Sequence, residues 1–215
     1  MNGRFPVIVD GEWREAEICI ASELEVKRLA YWKIPRHLTK DDPERQRIYD
    51  SVEYARMACD RWKYYHRQQF TVQSMDELKR MISAKPQAEL AMVLMARPAW
   101  GTPISTLGMA YLRRTWCNHL YLEFLAAHPQ VIIKQYQRIG AVGIGILQGL
   151  VALAEALEVN CIWGEATEAS ANWYREQLDV EKVLDHFFIE DDVMQHCRKE
   201  MLGARQEMLA RRTTT

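Results

Sequence analysis

The chain has 215 residues, 48% of them hydrophobic and 27% charged, with a formal net charge of −1. That length supports one domain with a sizeable core, and the near-neutral balance supplies no global field for nucleic acid or an anionic membrane. The longest apolar stretch, Val142–Leu157, is broken by Gln148 and Glu155 and falls short of a bilayer span, so it predicts a buried helix. Cys19, Cys59, Cys117, Cys161 and Cys197 are scattered without a Cys-x-x-Cys, and no His-x-x-x-His pair falls on an expected helix. Neither a disulfide framework nor a metal site is therefore expected. The first residues lack a basic region followed by an apolar core, so a cytoplasmic setting without a secretory leader is expected.

In chain order, residues 5–21 predict a β-hairpin. Phe5-Pro-Val-Ile-Val leads into the turn dipeptide Asp10-Gly11, and Trp13 and the alternating Ile18-Cys-Ile20 return. Ser22 is placed to cap a short helix over Leu24–Trp32 that ends before Pro35. A longer helix is predicted over Thr39–Gln69, capped by Asp41 or Asp42 with Pro43 in its first turn. Its inner face is Ile48, Val52, Ala55, Cys59 and Trp62. Tyr49, Tyr54, Tyr64 and Tyr65 either line a pocket or cover core edges. Ser74-Met-Asp-Glu77 is a capping-box pattern opening a third helix, with Leu78, Met81 and Ile82 inward and Pro86 beyond its end. The second and third helices are expected to cover one side of a sheet.

Leu90–Ala96, Ile104–Leu112 and Leu120–Ala127 read as three consecutive strands, an antiparallel meander. After a spacer, Gly140, Gly143 and Gly145 leave the backbone bare ahead of a helix whose stripe is Ile146, Leu150, Leu153 and Leu157. Unpaired N–H groups at a helix N-terminus form an anion site, and phosphate suits it; the competing reading gives the glycines only a turn and close packing. Asn160-Cys-Ile-Trp-Gly-Glu165 predicts a strand and Ala171–Tyr174 lies in the following helix. Asp185–Ile189 predicts a last short strand. Asp191–Arg212 predicts a terminal helix whose Val193, Cys197, Met201 and Met208 side can pack on its own core or on a second subunit, a homodimer.

The order of these pieces resembles the acyl-CoA-binding core of the GNAT superfamily of N-acyltransferases over about residues 90–189. That family's Gln/Arg-x-x-Gly-x-Gly/Ala signature is matched by Arg138-Ile-Gly-Ala141-Val-Gly143, with Ala141 in place of the first signature glycine. Ile146, Leu147, Leu150 and Ala154 keep the family's helix spacing, Leu125-Ala-Ala-His-Pro129 resembles the strand end before its loop, and Tyr174 stands where the family often has a tyrosine. Two features depart from it. The spacer Gln130–Gln137 is long, and Gln177-Leu-Asp-Val180 stands where Gly-Phe is usual.

The resemblance implies an α/β (α+β) fold, a mixed and mostly antiparallel central sheet flanked by helices. It implies one domain over residues 1–189, in which a hairpin and helical cover (1–86) precede the acyl-CoA-binding core (90–189); a helix and tail (190–215) follow. It implies a transferase that moves an acyl group, acetyl above all, from acetyl-CoA to an amine acceptor without a metal. Arg138, Ile139, Gly140, Ala141, Val142, Gly143 and Ile144 would cradle the CoA pyrophosphate, while Leu125, Ala126 and Ala127 would align the pantetheine arm and polarise the thioester. Glu123, an ionisable group amid Leu122, Phe124 and Leu125, would be the base, with an ion pair to Arg113 or Arg114 as its alternative. Tyr174 would be the acid for the leaving thiolate. Two rival readings remain. One is a non-catalytic acyl-CoA-binding or interaction module. The other is a dinucleotide-dependent oxidoreductase built on Gly143-Ile-Gly145-Ile-Leu-Gln-Gly149, with Glu165 toward a ribose.

Overall fold

The computed structural model describes residues 2–36, 38–39 and 41–212. Strands β1 (Asn2–Val9) and β2 (Glu12–Ile20) form the expected hairpin. Asp10 and Gly11 turn it at φ of 52° and 90°, the left-handed pair whose twist matches that of the strands. Ser22 caps α1 (Glu23–Leu29), and the Glu25 carboxylate accepts the Ser22 N–H at 2.9 Å, closing a capping box.

Helix α2 spans Arg45–Arg67 and so begins later than the sequence predicts. Asp42 Oδ1 accepts the Glu44 N–H at 2.9 Å, a local turn that competes with helix and leaves Pro43 outside it. The anticipated face is buried: Ile48, Val52, Ala55, Cys59 and Trp62 are all in the core. In α3 (Met75–Ala84) the Ser74 hydroxyl accepts from Glu77 N–H, but the Glu77 carboxylate reaches back one residue further, to Gln73 N–H at 2.8 Å.

The meander consists of β3 (Leu90–Pro98), β4 (Gly108–Arg114) and β5 (Leu120–Ala127), the middle strand starting four residues later than expected. The spacer carries an extra turn of helix, α4 (Pro129–Ile132), and β6 (Ile139–Gly140) then pairs with β1. Helix α5 (Val142–Ala156), β7 (Ile162–Glu165), α6 (Glu168–Leu178), β8 (His186–Ile189) and α7 (Asp191–Arg212) complete the chain. The eight strands lie in the order β6-β1-β2-β3-β4-β5-β7-β8. Every neighbouring pair is antiparallel except β5 and β7.

Strand alternation gives the sheet two apolar faces. Leu90, Met92, Leu94 and Ala96 of β3 join α5 on one; Ala91, Val93 and Met95 join α1 and α2 on the other. Helix α3 lies with α5, because Leu78 belongs to that cluster, so α2 and α3 cover opposite faces rather than one. On α7, Val193, Met194 and Cys197 pack against the chain's own core.

Strand β5 carries the one feature that alternation does not predict. Tyr111 pairs with Phe124 but Leu112 with Leu122, so Glu123 is a β-bulge with no partner of its own. The extra residue reverses the parity of the strand. Leu120 and Leu122 face α5 before it, whereas Phe124 and Ala126 face α2 after it and Leu125 and Ala127 turn toward α5.

Candidate active site

Strands β5 and β7 stay together only from Leu120↔Ile162 to Leu122↔Gly164. Beyond the bulge they separate, and the edge of β5 over Leu125–Ala127 has no strand beside it among the described residues. Into that split opens a cavity of about 850 Å³, within the size range of small-molecule and cofactor sites. Its walls come from the end of β5, from α4, from β6 and the entry to α5, from α6, and from the front of α2 with the residues just before it.

The entry to α5 is shaped by Ala141, held at φ 63°, ψ 13° in the left-handed region. The first bond of the helix runs from Gly145 N–H to Ala141 O at 3.0 Å. The N–H groups of Val142, Gly143 and Ile144 therefore have no acceptor within the helix, and all three residues line the cavity. The glycines divide between the two readings given them by the sequence. Gly143 borders the cavity, where a Cβ would come within 2.9 Å of the Trp173 ring. Gly145 and Gly149 lie inside α5, where a Cβ would collide with Phe5 and Ile18, so their task is close helix–sheet packing. A glycine turn for a dinucleotide is thereby removed. Glu165, assigned to a ribose in that reading, accepts a hydrogen bond from the Tyr121 hydroxyl at 3.1 Å instead.

Of the residues expected to hold a cofactor, Leu125, Ala126, Ala127 and Ile139 through Ile144 line the cavity. Arg138 does not. Its side chain is exposed, and its backbone exchanges bonds with Asp10, N–H to Oδ1 at 2.9 Å and O from the Asp10 N–H at 2.9 Å, which fastens β6 to the hairpin turn. The guanidinium in the wall is that of Arg47, 3.3 Å from Glu44.

Tyr174 is in the wall, 6% exposed, stacked on Phe187 at 4.1 Å and edge-on to Trp173. Burial and the nearby Tyr54 push its phenol well above the ordinary range. Tyr54 faces it from α2, stacked on Phe124, its own phenol pushed up by burial and by Asp50. Glu123 is elsewhere. Its carboxylate is 5% exposed beneath α2, accepts from Arg113 Nε and lies 3.7 Å from Arg61 Nε. Arg113 is held in turn by Tyr65 and Glu89 at 2.9 and 3.0 Å. The ion-pair alternative for Glu123 is the one observed, and the carboxylate is not in the cavity wall.

Sequence reasoning missed Asp50 and Ser51. The Ser51 hydroxyl donates to Ala127 O at 2.6 Å and ties α2 to the open end of β5. A signal existed, since Ser51 falls between Ile48 and Val52 on the buried stripe, where a hydroxyl needs a partner. Asp50 lies in the wall beside it and accepts from Gln46 at 2.8 Å. Among the described residues no group of three or more His, Cys, Asp or Glu side chains could hold a metal. No helix of the described residues is long and apolar enough to cross a membrane.

No protein-family model and no curated protein matches the chain. Solved structures similar to it include acetyltransferases. A protein assigned to the GNAT family from Desulfovibrio desulfuricans is 13% identical, with 81% of this chain and 98% of that one covered and a TM-score of 0.42. A GNAT-family acetyltransferase from Staphylococcus aureus Mu50 is 9% identical over 80% of this chain and 97% of that one, at 0.41. Nourseothricin acetyltransferase is 15% identical at 0.31, and the match spans 40% of this chain and about half, 48%, of that one. These likenesses carry nothing to individual residues, so the chemistry rests on the cavity itself.

Proposed function

We propose that this chain is an N-acyltransferase that moves an acyl group, acetyl in the simplest case, from acyl-CoA to a primary amine. The observation that carries the reading is the split between β5 and β7, with the unpaired amides of Val142, Gly143 and Ile144 on one side and the free edge of Leu125–Ala127 on the other. The amides and the helix dipole suit a pyrophosphate. The strand edge suits an extended amide-bearing arm such as pantetheine, and one of its N–H groups would polarise the thioester carbonyl.

The acceptor enters from the α2 side. Its nitrogen attacks the thioester carbon, the C–S bond breaks, and the thiolate needs a hydrogen-bond donor. Tyr174 supplies that donor. With its pKa raised it stays a phenol at neutral pH, so it serves by donating a hydrogen bond more than by surrendering its proton. We move the base from Glu123, which two guanidinium groups already engage, to Asp50, the carboxylate in the wall beside Tyr54.

Calorimetric titration of the chain with acetyl-CoA tests the reading, with saturable binding expected and a loss of roughly tenfold or more in Gly143→Val, whose side chain meets Trp173. Tyr174→Phe is expected to keep that affinity and slow CoA release, measured over a panel of amines, by roughly a hundredfold. Absence of acetyl-CoA binding sinks the proposal. Binding without release to any amine leaves the acyl-CoA-binding module, which the engagement of Glu123 by arginines favours as the second reading.

A further inference from the structure

The sheet ends in two edges, β6 and β8. Strand β6 is only two residues long. Strand β8, His186-Phe-Phe-Ile189, pairs with β7 over all four of its residues without a bulge, and no strand lies along its outer edge among the described residues. It carries neither Lys nor Pro, so three of the devices that keep natural sheet edges apart are missing. The sheet face beside this edge is also open. Cross-strand register sets Arg113, Tyr121, Trp163 and Phe188 in one row. Tyr121 stacks on Trp163 at 4.0 Å, and the Arg113 guanidinium lies 5.1 Å from the Tyr121 ring. The row is on the α2 side of the sheet, away from Leu120 and Leu122, but the helices stop short of its end. No residue of β7 or β8 belongs to the cluster under α1 and α2 among the described residues. A cavity of about 660 Å³ opens over the row instead. Phe188 is 54% exposed there, and Trp116, 66% exposed in the turn between β4 and β5, borders the same cavity. Large rings gathered in the open mark an interface.

We infer that β8 is the interface of a symmetric dimer, pairing antiparallel with β8 of a second copy so that one sheet runs through both. The polar residues along the strand choose this occupant and its register. In a twofold antiparallel pair, directly opposite residues share a face, so the axis passes through a residue that meets its own counterpart. With Phe188 on the axis, His186 stands opposite Glu190 of the partner subunit, and the symmetry repeats the pair on the other side. No other register forms it. His186 and Glu190 are exposed and, by alternation, share the face of Phe188, so each copy brings an imidazole to a carboxylate on either side of the paired rings. The interface is independent of the acyl-transfer reading, since this cavity shares no lining residue with the cleft.

Sedimentation equilibrium of the whole chain over a range of micromolar concentrations tests it, with a reversible dimer expected. Phe188→Lys places a charge on the edge and removes no core side chain, so a folded monomer is expected, its dimerisation weakened by roughly a hundredfold. Leu202→Lys, on the exposed side of α7, is expected to leave the dimer intact. Glu190→His sets two imidazoles opposite each other and is expected to weaken association by up to roughly tenfold; His186→Glu together with Glu190→His is expected to restore it. A monomer at every concentration overturns the interface. So does a dimer that Phe188→Lys leaves intact, and one that Leu202→Lys then breaks lies on α7. Failure of the double exchange to restore association overturns the strand register. Failure of acetyl-CoA to bind bears only on the acyl-transfer proposal.

Discussion

At Ala141 the backbone is left-handed in a residue that disfavours it, at the place where the resemblance has glycine. The conformation costs about 1 kcal/mol in a non-glycine residue. Ala141→Gly relieves that cost but adds freedom to the unfolded chain. A net gain of about 0.5 kcal/mol is expected from urea unfolding, with acetyl-CoA affinity retained; a loss of stability would mean that the strain is not there. Asp179 solves a similar problem differently. It closes α6 in the left-handed region at φ 52°, a conformation that Asp tolerates better than most residues, so the helix ends in a turn although the sequence there lacks glycine.

His128 gives the residue scale its pH dependence. It caps α4 by accepting the Gln130 N–H on Nδ1 at 3.2 Å and sits edge-on to Trp32 at 4.7 Å. Capping needs an unprotonated Nδ1, and burial pushes the imidazole down to about 4 from its ordinary 6.5. The folded state therefore binds this proton less readily than the unfolded state, so stability is full above the ordinary value and falls as pH drops through the interval to about 4. The loss amounts to about 3 kcal/mol. In His128→Asn, which keeps a capping acceptor, the difference in urea midpoint between neutral pH and about pH 4 is expected to shrink by most of that amount. An unchanged difference would assign the acid sensitivity to other groups.

Among the elements, β5 decides the site through its bulge. Glu123 is the inserted residue, and Arg113 on β4 grips its carboxylate next to Arg61 and below Tyr111. The clamp holds the bulge that turns Leu125 and Ala127 toward α5 and separates β5 from β7. Removing one member of a buried pair leaves the other uncompensated, so Glu123→Gln is expected to cost about 3 kcal/mol in urea unfolding. Arg113→Met together with Glu123→Leu is expected to recover most of that loss, because an apolar replacement carries no stranded charge. A Glu123→Gln protein of unchanged stability that no longer releases CoA would return the carboxylate to the role of base.

For the whole molecule, the cleft joins the two layers that the sheet otherwise keeps apart. The α5 and α6 walls belong to one apolar face, and the α2 wall, tied to Ala127 by Ser51, belongs to the other. A ligand spanning them binds only the assembled fold. Acetyl-CoA at about a hundred times its dissociation constant is expected to raise unfolding stability by about 2.7 kcal/mol, read as a shift in urea midpoint. Gly143→Val is expected to lose most of that shift while unfolding at a similar midpoint without ligand.

The sequence by itself determined the hairpin, the buried face of α2, the three meander strands and the helix entry at Ala141–Gly143, because those are written in local spacing, turn residues and caps. Tyr174 and nine of the ten residues that the resemblance assigned to a cofactor line one cavity. Only the tertiary structure decided that α3 crosses to the other face from α2, that Glu123 is a bulge gripped by Arg113, and that Gly145 and Gly149 are packing glycines. Each depends on what lies opposite in space. A bulge reverses the parity that strand alternation assumes, and a carboxylate's task follows from its neighbours rather than from its place in the chain.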